Sequence, residues 1–206
     1  MTPRAVVFDI GNVLIEWQPE RYFDRVSGPE RRCAMFEEID IHAMMTRIDR
    51  GAHFGEEAAR MAAAHPDFAA ELLQFRDRWC DIAQPAIPHS VRLLQALRAR
   101  GVPVFALSNF GAENFPLSAA QFPFLQGFDR AYISGRMRMA KPDPAIYAAV
   151  EDDCGLPPEA LLFTDDRAEN IAAAAARGWQ VHLFEHPEGL ARALVALGLL
   201  DEDEAL

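Results

Sequence analysis

Short apolar runs recur along the chain, and each is followed by glycine or by polar residues. Continuous runs of this length, rich in valine, leucine, isoleucine and phenylalanine, are typical of strands that are buried on both faces of a parallel sheet. The pattern predicts five strands, at residues 5–8, 102–107, 131–133, 161–163 and 181–184.

Segments with helical spacing of apolar residues separate several of these runs, at residues 90–100, 144–154 and 168–177. The last of them contains a run of alanines, the residue that favours helix most strongly. Strands that alternate with helices over residues 88–187 indicate right-handed βαβ crossovers. We therefore predict the α/β class with a doubly wound parallel sheet, in which ligands bind beyond the carboxyl ends of the strands.

Residues 18–86 interrupt this alternation with helix-like sequence that is rich in Ala, Glu, Arg, Met and Phe. The segment leaves the sheet just after the first strand and returns before Pro88. We interpret it as an inserted all-helical cap that lies over the strand ends as a lid. The expected division is a core domain formed by residues 1–17 and 87–206, and a cap subdomain formed by residues 18–86.

The net charge of the chain limits the kinds of partner that it can bind. The chain has 20 basic and 31 acidic residues, which give a net charge of −11. This sign repels nucleic acid and anionic lipid surfaces, so we expect neither a nucleic-acid partner nor a membrane partner. A few local cations or a metal ion can still attract a small anionic substrate into one pocket.

The cysteines and the N-terminal segment indicate the compartment. Cys33, Cys80 and Cys154 form no C-x-x-C pair and suggest neither a disulfide framework nor a zinc ribbon. Asp9 interrupts the first apolar run, which is unlike a signal peptide, and no segment approaches the roughly 18 apolar residues of a membrane span. We expect a cytoplasmic protein.

Polar residues follow three of the predicted strands. Asp9 comes after the first strand, Ser108 and Asn109 after the second, and Thr164-Asp165-Asp166 after the strand that begins at Leu161. Parallel strands carry their carboxyl ends at one edge of a sheet, so these side chains should converge on one crevice. Lys141 precedes the helix that starts at Pro144, where Asp143 is placed as N-cap.

Taken one at a time, these residues have ordinary structural explanations as turn formers, helix caps or a surface cation. Together, three carboxylates in one crevice would repel each other unless a cation joined them. Mg²⁺ binds one or two carboxylates together with water and phosphate oxygens, and Mn²⁺ takes the same ligands. With a phosphoryl group present, Asp9 can attack phosphorus, Ser108 and Asn109 can donate hydrogen bonds, and Lys141 can neutralise charge.

Four segments, in order, resemble the sequence motifs of the haloacid dehalogenase (HAD) superfamily: Phe8-Asp9-Ile10-Gly11-Asn12-Val13, Leu107-Ser108-Asn109, Lys141-Pro142-Asp143-Pro144-Ala145-Ile146-Tyr147, and Phe163-Thr164-Asp165-Asp166 with Asn170. The resemblance covers nearly the whole chain and implies a Rossmann-like core. The insertion after the first motif is similar to the helical cap of the first subfamily.

The resemblance also implies roles for these residues. Asp9 would be the catalytic nucleophile that forms an aspartyl-phosphate, and Lys141 a catalytic residue that binds phosphate with Ser108 and Asn109. Mg²⁺ would be held by Asp9, Asp166 and the main-chain carbonyl of Gly11, with Asp165 supporting this set. The implied activity is a Mg²⁺-dependent phosphatase that acts on a small phosphorylated metabolite.

Gly11 departs from the family pattern. Most phosphatases of the superfamily have an aspartate at this position, which protonates the leaving group and later activates water. A substrate with a good leaving group, such as a sugar 1-phosphate, would need less help from an acid. We favour this interpretation, because Asp49-Arg50-Gly51 and the following Glu56-Glu57 resemble the cap of the glucose-1-phosphate phosphatase subgroup.

Two alternatives remain open. A 2-haloacid dehalogenase would need neither the second aspartate nor a metal, but the pair Asp165-Asp166 would repel its carboxylate substrate. A catalytically impaired scaffold or phosphate-sensing protein would keep the fold and the metal site without rapid turnover. In the pocket we select Trp17 as a candidate substrate contact, because it closely follows the nucleophile loop.

Overall fold

The computed structural model describes residues 2–206 and contains one parallel sheet. Its strands are β1 (Ala5–Phe8), β2 (Val104–Ser108), β3 (Arg130–Ile133), β4 (Leu161–Asp165) and β5 (Gln180–Leu183). The strand order is β3-β2-β1-β4-β5, and every neighbouring pair is parallel. The chain thus builds one half of the sheet from β1 through β2 to β3, and the other half through β4 to β5. This reversal leaves a crevice at the carboxyl end of β1, between β2 and β4.

The α/β class and the doubly wound sheet are confirmed, and the strand boundaries differ from prediction by a few residues. β2 begins after Pro103, which has no N–H to donate to a sheet. β4 continues through Thr164 and Asp165, both completely buried. The sequence pattern predicts that this strand ends at residue 163, so the structure extends it by two residues.

Twelve helices accompany the sheet in residues 2–206. They are α1 (Pro19–Val26), α2 (Pro29–Glu38), α3 (Ile41–Asp49), α4 (Phe54–Ala64), α5 (Ala69–Asp77), α6 (Trp79–Ile82), α7 (Pro88–Ala99), α8 (Asn114–Gln121), α9 (Ser134–Met137), α10 (Pro144–Cys154), α11 (Ala168–Ala176) and α12 (Pro187–Ala196). Short 3₁₀ turns lie at Pro66–Phe68, Pro123–Gly127 and Pro158–Ala160. None of the helices that residues 2–206 form is long and apolar enough to cross a lipid bilayer.

The helices α7, α10 and α11 match the three predicted segments within two residues at each end. Asp143 caps α10 as expected, because its carboxylate accepts a hydrogen bond of 2.9 Å from the Ala145 N–H. Pro144 occupies the first turn, where a missing N–H costs nothing.

The segment between β1 and α7 is helical, as predicted. Its two ends lie side by side, since the Glu16 N–H donates to the Pro85 carbonyl at 2.9 Å and the Ile87 N–H donates to the Leu14 carbonyl at 2.8 Å. The segment therefore leaves and re-enters the sheet layer at one point. Its description as a separate cap subdomain, with the boundaries given above, stays a prediction.

Alternate residues of β1 face two apolar layers, as the period of a strand requires. Val6 and Phe8 belong to a layer that is continuous with the helices of the inserted segment. Ala5 and Val7 face the opposite layer, which contains Tyr147 of α10. A strand buried on both sides is rigid, so the residue that follows it is held in a fixed position.

Candidate active site

Asp9 and the carboxyl ends of β2 and β4 meet at the wall of a cavity of about 610 Å³. The Asp9 N–H donates a hydrogen bond of 2.9 Å to the Thr164 carbonyl, which extends the pairing of β1 and β4 by one residue. Ser108, the last residue of β2, donates its hydroxyl proton to Asp9 Oδ1 at 2.6 Å. The structure thus brings together the strand-end residues that the sequence placed in one crevice.

The two carboxylate oxygens of Asp9 have different surroundings. Oδ1 accepts hydrogen bonds from the Ile10 N–H at 2.7 Å and from Ser108, and Lys141 Nζ lies 2.9 Å from it. Oδ2 accepts no hydrogen bond from residues 2–206. One oxygen therefore fixes the carboxylate, while the other is available to a reacting atom or a cation.

Lys141 is a buried cation between two carboxylates. Its Nζ lies 2.6 Å from Asp165 Oδ2 and 2.9 Å from Asp9 Oδ1. Burial alone would lower the pKa of this ammonium group, but the two carboxylates outweigh burial and raise the pKa above its ordinary value. Lys141 therefore stays charged, and it is also the only lysine in the chain.

Asp165 holds this lysine in place. Its Oδ1 accepts hydrogen bonds from the Arg167 N–H at 2.8 Å and from Asn170 Nδ2 at 2.9 Å. Its Oδ2 accepts from Lys141 and, at 3.0 Å, from the same Asn170 amide. Both oxygens are thus engaged by protein donors.

Asp166 is only half-buried and lies in the cavity wall. Its Oδ2 accepts a hydrogen bond of 3.1 Å from Asn12 Nδ2, and Asn12 Oδ1 accepts one of 2.9 Å from the Trp17 N–H. Asn12 has a φ of 54°, in the left-handed region that asparagine tolerates better than most residues. Burial raises the pKa of Asp166, which the Asn12 hydrogen bond partly opposes.

The carboxylates of Asp9, Asp165 and Asp166 each place one oxygen within 4.8 Å of the others. Burial raises the pKa of Asp9 to about 7, Lys141 lowers it, and the charge of Asp165 raises it further. The cost of ionising Asp9 falls when a second cation is nearby. Hard oxygen donors in this number fit Mg²⁺, with the remaining ligands left to water and to substrate.

Asn109 lies in the cavity wall, but its side-chain amide is already engaged. Its Nδ2 donates to the Lys141 carbonyl at 2.9 Å, and its Oδ1 accepts from the Lys141 N–H at 2.8 Å. The amide thus fixes the backbone of the lysine loop. Phosphate binding by Asn109 stays a prediction.

Gly11 and Trp17 also line the cavity. A Cβ atom at Gly11 would meet only Trp17 Cβ, at the ordinary contact distance of 3.9 Å. The glycine is therefore not required by packing. The Trp17 ring lies against the Trp79 ring, with centroids 5.0 Å apart, so one wall of the cavity is aromatic.

One face of α3 lines the same cavity as the strand ends, a contribution that the sequence analysis did not predict. His42, Met45, Thr46 and Asp49 line the cavity. Their spacing of three, four and seven residues places them on one side of a helix, and this spacing is the signal that could have found them. Burial raises the pKa of Asp49 to about 7, and the nearby charge of Asp9 adds to the effect.

Asn114, at the start of α8, was also missed. It is completely buried in the cavity wall, and neither polar atom of its side chain has a hydrogen-bond partner in residues 2–206. Its Oδ1 would lie 2.4 Å from a Cβ atom at Gly111, so the glycine leaves the room that this amide occupies.

Comparison with known proteins identifies the family. A family model described as haloacid dehalogenase-like hydrolase matches residues 3–178. The chain belongs to this family. The superfamily resemblance found in the sequence motifs is thereby confirmed.

Among curated relatives, this haloacid dehalogenase-like hydrolase is 27% identical to phosphatase MT3486 of Mycobacterium tuberculosis, over 97% of each protein. It is also 27% identical to drimenol cyclase drtB of Aspergillus calidoustus, over 93% of this chain. The match spans only 36% of the cyclase.

Solved structures share the fold. An HAD family enzyme of Bacteroides thetaiotaomicron, bt-2542, in complex with magnesium and inorganic phosphate, is 22% identical with a TM-score of 0.72, over 89% of this chain and 94% of that one. The L-2-haloacid dehalogenase of Xanthobacter autotrophicus is 22% identical with a TM-score of 0.65, over 94% and 83%. At this identity the likeness concerns the fold and does not choose between phosphatase and dehalogenase chemistry.

Proposed function

We propose that this haloacid dehalogenase-like hydrolase is a Mg²⁺-dependent phosphatase that uses Asp9 as nucleophile on a small phosphorylated metabolite. The observation that carries the proposal is the asymmetry of Asp9. One carboxylate oxygen is fixed by three donors, and the other accepts no hydrogen bond from residues 2–206. A nucleophile needs this combination of fixed orientation and an unengaged lone pair.

Lys141 would neutralise phosphate charge and orient Asp9. Its buried ammonium can donate to a phosphoryl oxygen while it stays bonded to Asp165, because an ammonium group has three donors. Ser108 has a single hydroxyl proton, which it donates in a hydrogen bond of 2.6 Å to Asp9 Oδ1. We expect this proton to turn to a phosphoryl oxygen when substrate binds.

Asp9, Asp166 and the Gly11 carbonyl would hold the metal ion. When bound, Mg²⁺ supplies positive charge that offsets the charge of the carboxylates and of the phosphoryl group. Asp165 supports this set indirectly, because its oxygens already accept hydrogen bonds from Arg167, Asn170 and Lys141.

Phosphatase chemistry is favoured over dehalogenation by the charge of the cavity. The strand ends contribute three carboxylates against one lysine, and a free carboxylate substrate would add to the repulsion. The curated relative phosphatase MT3486 supports the same choice. The aromatic wall formed by Trp17 and Trp79 fits the apolar face of a sugar, so we propose a sugar 1-phosphate as the substrate.

The proposed location is cytoplasmic. Cys33, Cys80 and Cys154 are all free thiols, a state that a reducing compartment maintains.

The test is release of phosphate from p-nitrophenyl phosphate and from glucose 1-phosphate, with Mg²⁺ and with a chelator. Asp9→Asn should lose the metal-dependent activity, whereas the control Asp40→Asn should keep it, because Asp40 is an exposed helix cap and asparagine caps equally well. Faster release from glucose 1-phosphate would support the proposal that the substrate is a sugar 1-phosphate. If neither compound released phosphate, the proposed phosphatase function would be wrong. Release of chloride from 2-chloropropionate without metal would then identify a dehalogenase.

A further inference from the structure

Cleavage of a phosphate ester of an alcohol leaves an alkoxide, which needs a proton. Glycine at position 11 has no side chain to give one. The titratable groups in the cavity wall, apart from the arginines, are Asp9, His42, Asp49, Lys141 and Asp166. A proton donor for the proposed reaction must come from this set.

Three of these groups are engaged. Asp9 is the nucleophile, Lys141 is bonded to Asp165, and Asp166 accepts from Asn12. His42 lies on α3 but is exposed to solvent. Asp49 is half-buried, and its carboxylate makes no hydrogen bond or ion pair with any of residues 2–206.

The position of Asp49 is fixed by contacts just after it. Gly51 packs so closely that a Cβ atom there would lie 3.1 Å from the Gly135 carbonyl. The Phe54 N–H donates to Glu113 Oε2 at 2.7 Å, and His53 Nε2 lies 2.6 Å from Glu113 Oε1. The chain just after α3 is thus held against α9 and the loop after β2, and Asp49 lines the cavity.

The charged groups that act on Asp49 come from several elements. Asp9 follows β1, Lys141 precedes α10, and Arg167 precedes α11. His42 and Arg50 line the same cavity from α3 and its C-terminal cap, and Arg138 lies against Gly51. Burial and the Asp9 charge raise the pKa of Asp49 to about 7, while Lys141 and Arg167 lower it. A pKa near neutrality suits a group that gives and takes a proton.

We propose that Asp49, from the inserted helical segment, is the general acid and general base that position 11 lacks; this inference rests on the proposed phosphatase function. In the first step, an Asp9 oxygen attacks phosphorus, the bond from phosphorus to the ester oxygen breaks, and that oxygen takes the proton of Asp49. In the second step, Asp49 takes a proton from water as the water oxygen attacks phosphorus. The bond from phosphorus to Asp9 then breaks, which restores both aspartates.

Asp49→Asn tests the two steps separately with Mg²⁺ and p-nitrophenyl phosphate, whose leaving group needs no proton. The first step should proceed, whereas hydrolysis of the aspartyl-phosphate should slow by about 10²–10⁴-fold. We expect a burst of one nitrophenolate per active site. After an acid quench, the intact protein should carry the added mass of a phosphoryl group.

Asp49→Glu should restore part of the turnover, and the control Asp40→Asn should show no burst. Equal turnover in wild type and Asp49→Asn, or slow turnover without phosphorylated protein, would overturn the role of Asp49. A burst in His42→Gln in its place would assign the role to His42. If wild type releases no nitrophenolate with Mg²⁺, the phosphatase function itself fails and the role falls with it.

Discussion

The side-chain amide of Asn12 donates a hydrogen bond of 3.1 Å to Asp166 Oδ2. This bond joins the loop after β1 to the loop after β4, which are far apart in the sequence. The same asparagine accepts the Trp17 N–H, so one side chain orients both an acidic residue and the start of the aromatic wall. We propose Asp166 as a metal ligand, because one of its oxygens lies within 4.8 Å of oxygens of Asp9 and Asp165.

Binding of Mg²⁺ should therefore be measurable, without a substrate, as an increase in the thermal stability of the protein. A ligand that binds only the folded protein stabilises it by about 2.7 kcal/mol at one hundred times its Kd. We expect the Tm of wild type to rise with Mg²⁺ and to return with a chelator. Asp166→Asn should abolish most of this rise, and Asp40→Asn should retain it; an unchanged rise in Asp166→Asn would exclude Asp166 as a ligand.

Removal of the cation between Asp9 and Asp165 should destabilise the fold. Lys141→Met leaves two buried carboxylates without their partner, and breaking a buried pair in this way costs about 3–5 kcal/mol. Urea unfolding in the presence of a chelator measures the loss. Arg4→Met, which removes an exposed cation, should change the free energy of unfolding by less than about 0.5 kcal/mol.

The loss in free energy of unfolding that Lys141→Met causes should grow as the pH rises. A carboxyl group whose pKa is higher in the folded than in the unfolded protein contributes less to stability as the pH rises toward the folded value. For Asp9 that interval runs from 3.8 to about 7 in wild type, and loss of Lys141 should extend it upward. A penalty that is the same at pH 5 and pH 8 would contradict this account.

Position 11 has room for the acid that it lacks, because a Cβ atom there meets only Trp17 Cβ at 3.9 Å. Gly11→Asp, introduced into Asp49→Asn, should restore turnover of p-nitrophenyl phosphate by about 10²-fold or more. Gly11→Asn adds the same bulk without a proton to transfer and should restore nothing. Equal effects of the two substitutions would show that shape, and not proton transfer, governs this position.

Glu57 of α4 should make the fold sensitive to acid. Hydrogen bonds from Arg60 and Arg47 lower the pKa of Glu57 below its ordinary 4.5. A carboxyl group with a lowered pKa stabilises the fold above its unfolded value, and this contribution is lost as the pH falls through the folded value. Because both arginines are partly exposed, we expect Glu57→Gln to cost only about 1 kcal/mol at pH 7.

The exposed neighbour Glu56 provides the control for Glu57. In urea unfolding between pH 3 and pH 7, Glu57→Gln should flatten the acid limb of the stability curve, and Glu56→Gln should leave it unchanged. If the two variants gave the same curve of stability against pH, Glu57 would not be a source of the acid sensitivity.

The sheet was predictable because its strands are short apolar runs buried on both faces, a pattern that depends on local sequence. The carboxyl end of β4 was harder to predict. The burial of Thr164 and Asp165 there depends on strands that are far away in the sequence and, for Asp165, on Lys141. The engagement of the Asn109 amide by the Lys141 backbone has no local signature at all. Asp49 was named only as part of the resemblance of the cap, and its place in the cavity wall was not predicted, because packing of the inserted segment decides which face of α3 lines the cavity.

Lys141 is the only lysine of the chain, so its ammonium group can be observed without overlap from other lysines. Every other cationic side chain outside the histidines is an arginine, so isotope labelling of lysine introduces one side-chain amine signal for the whole molecule. That signal originates between Asp9 and Asp165, where the resonance frequency responds to the protonation of either carboxylate. Nuclear magnetic resonance can thus follow the charge state of Asp9, the proposed nucleophile, in the intact protein, with no substitution and no attached probe.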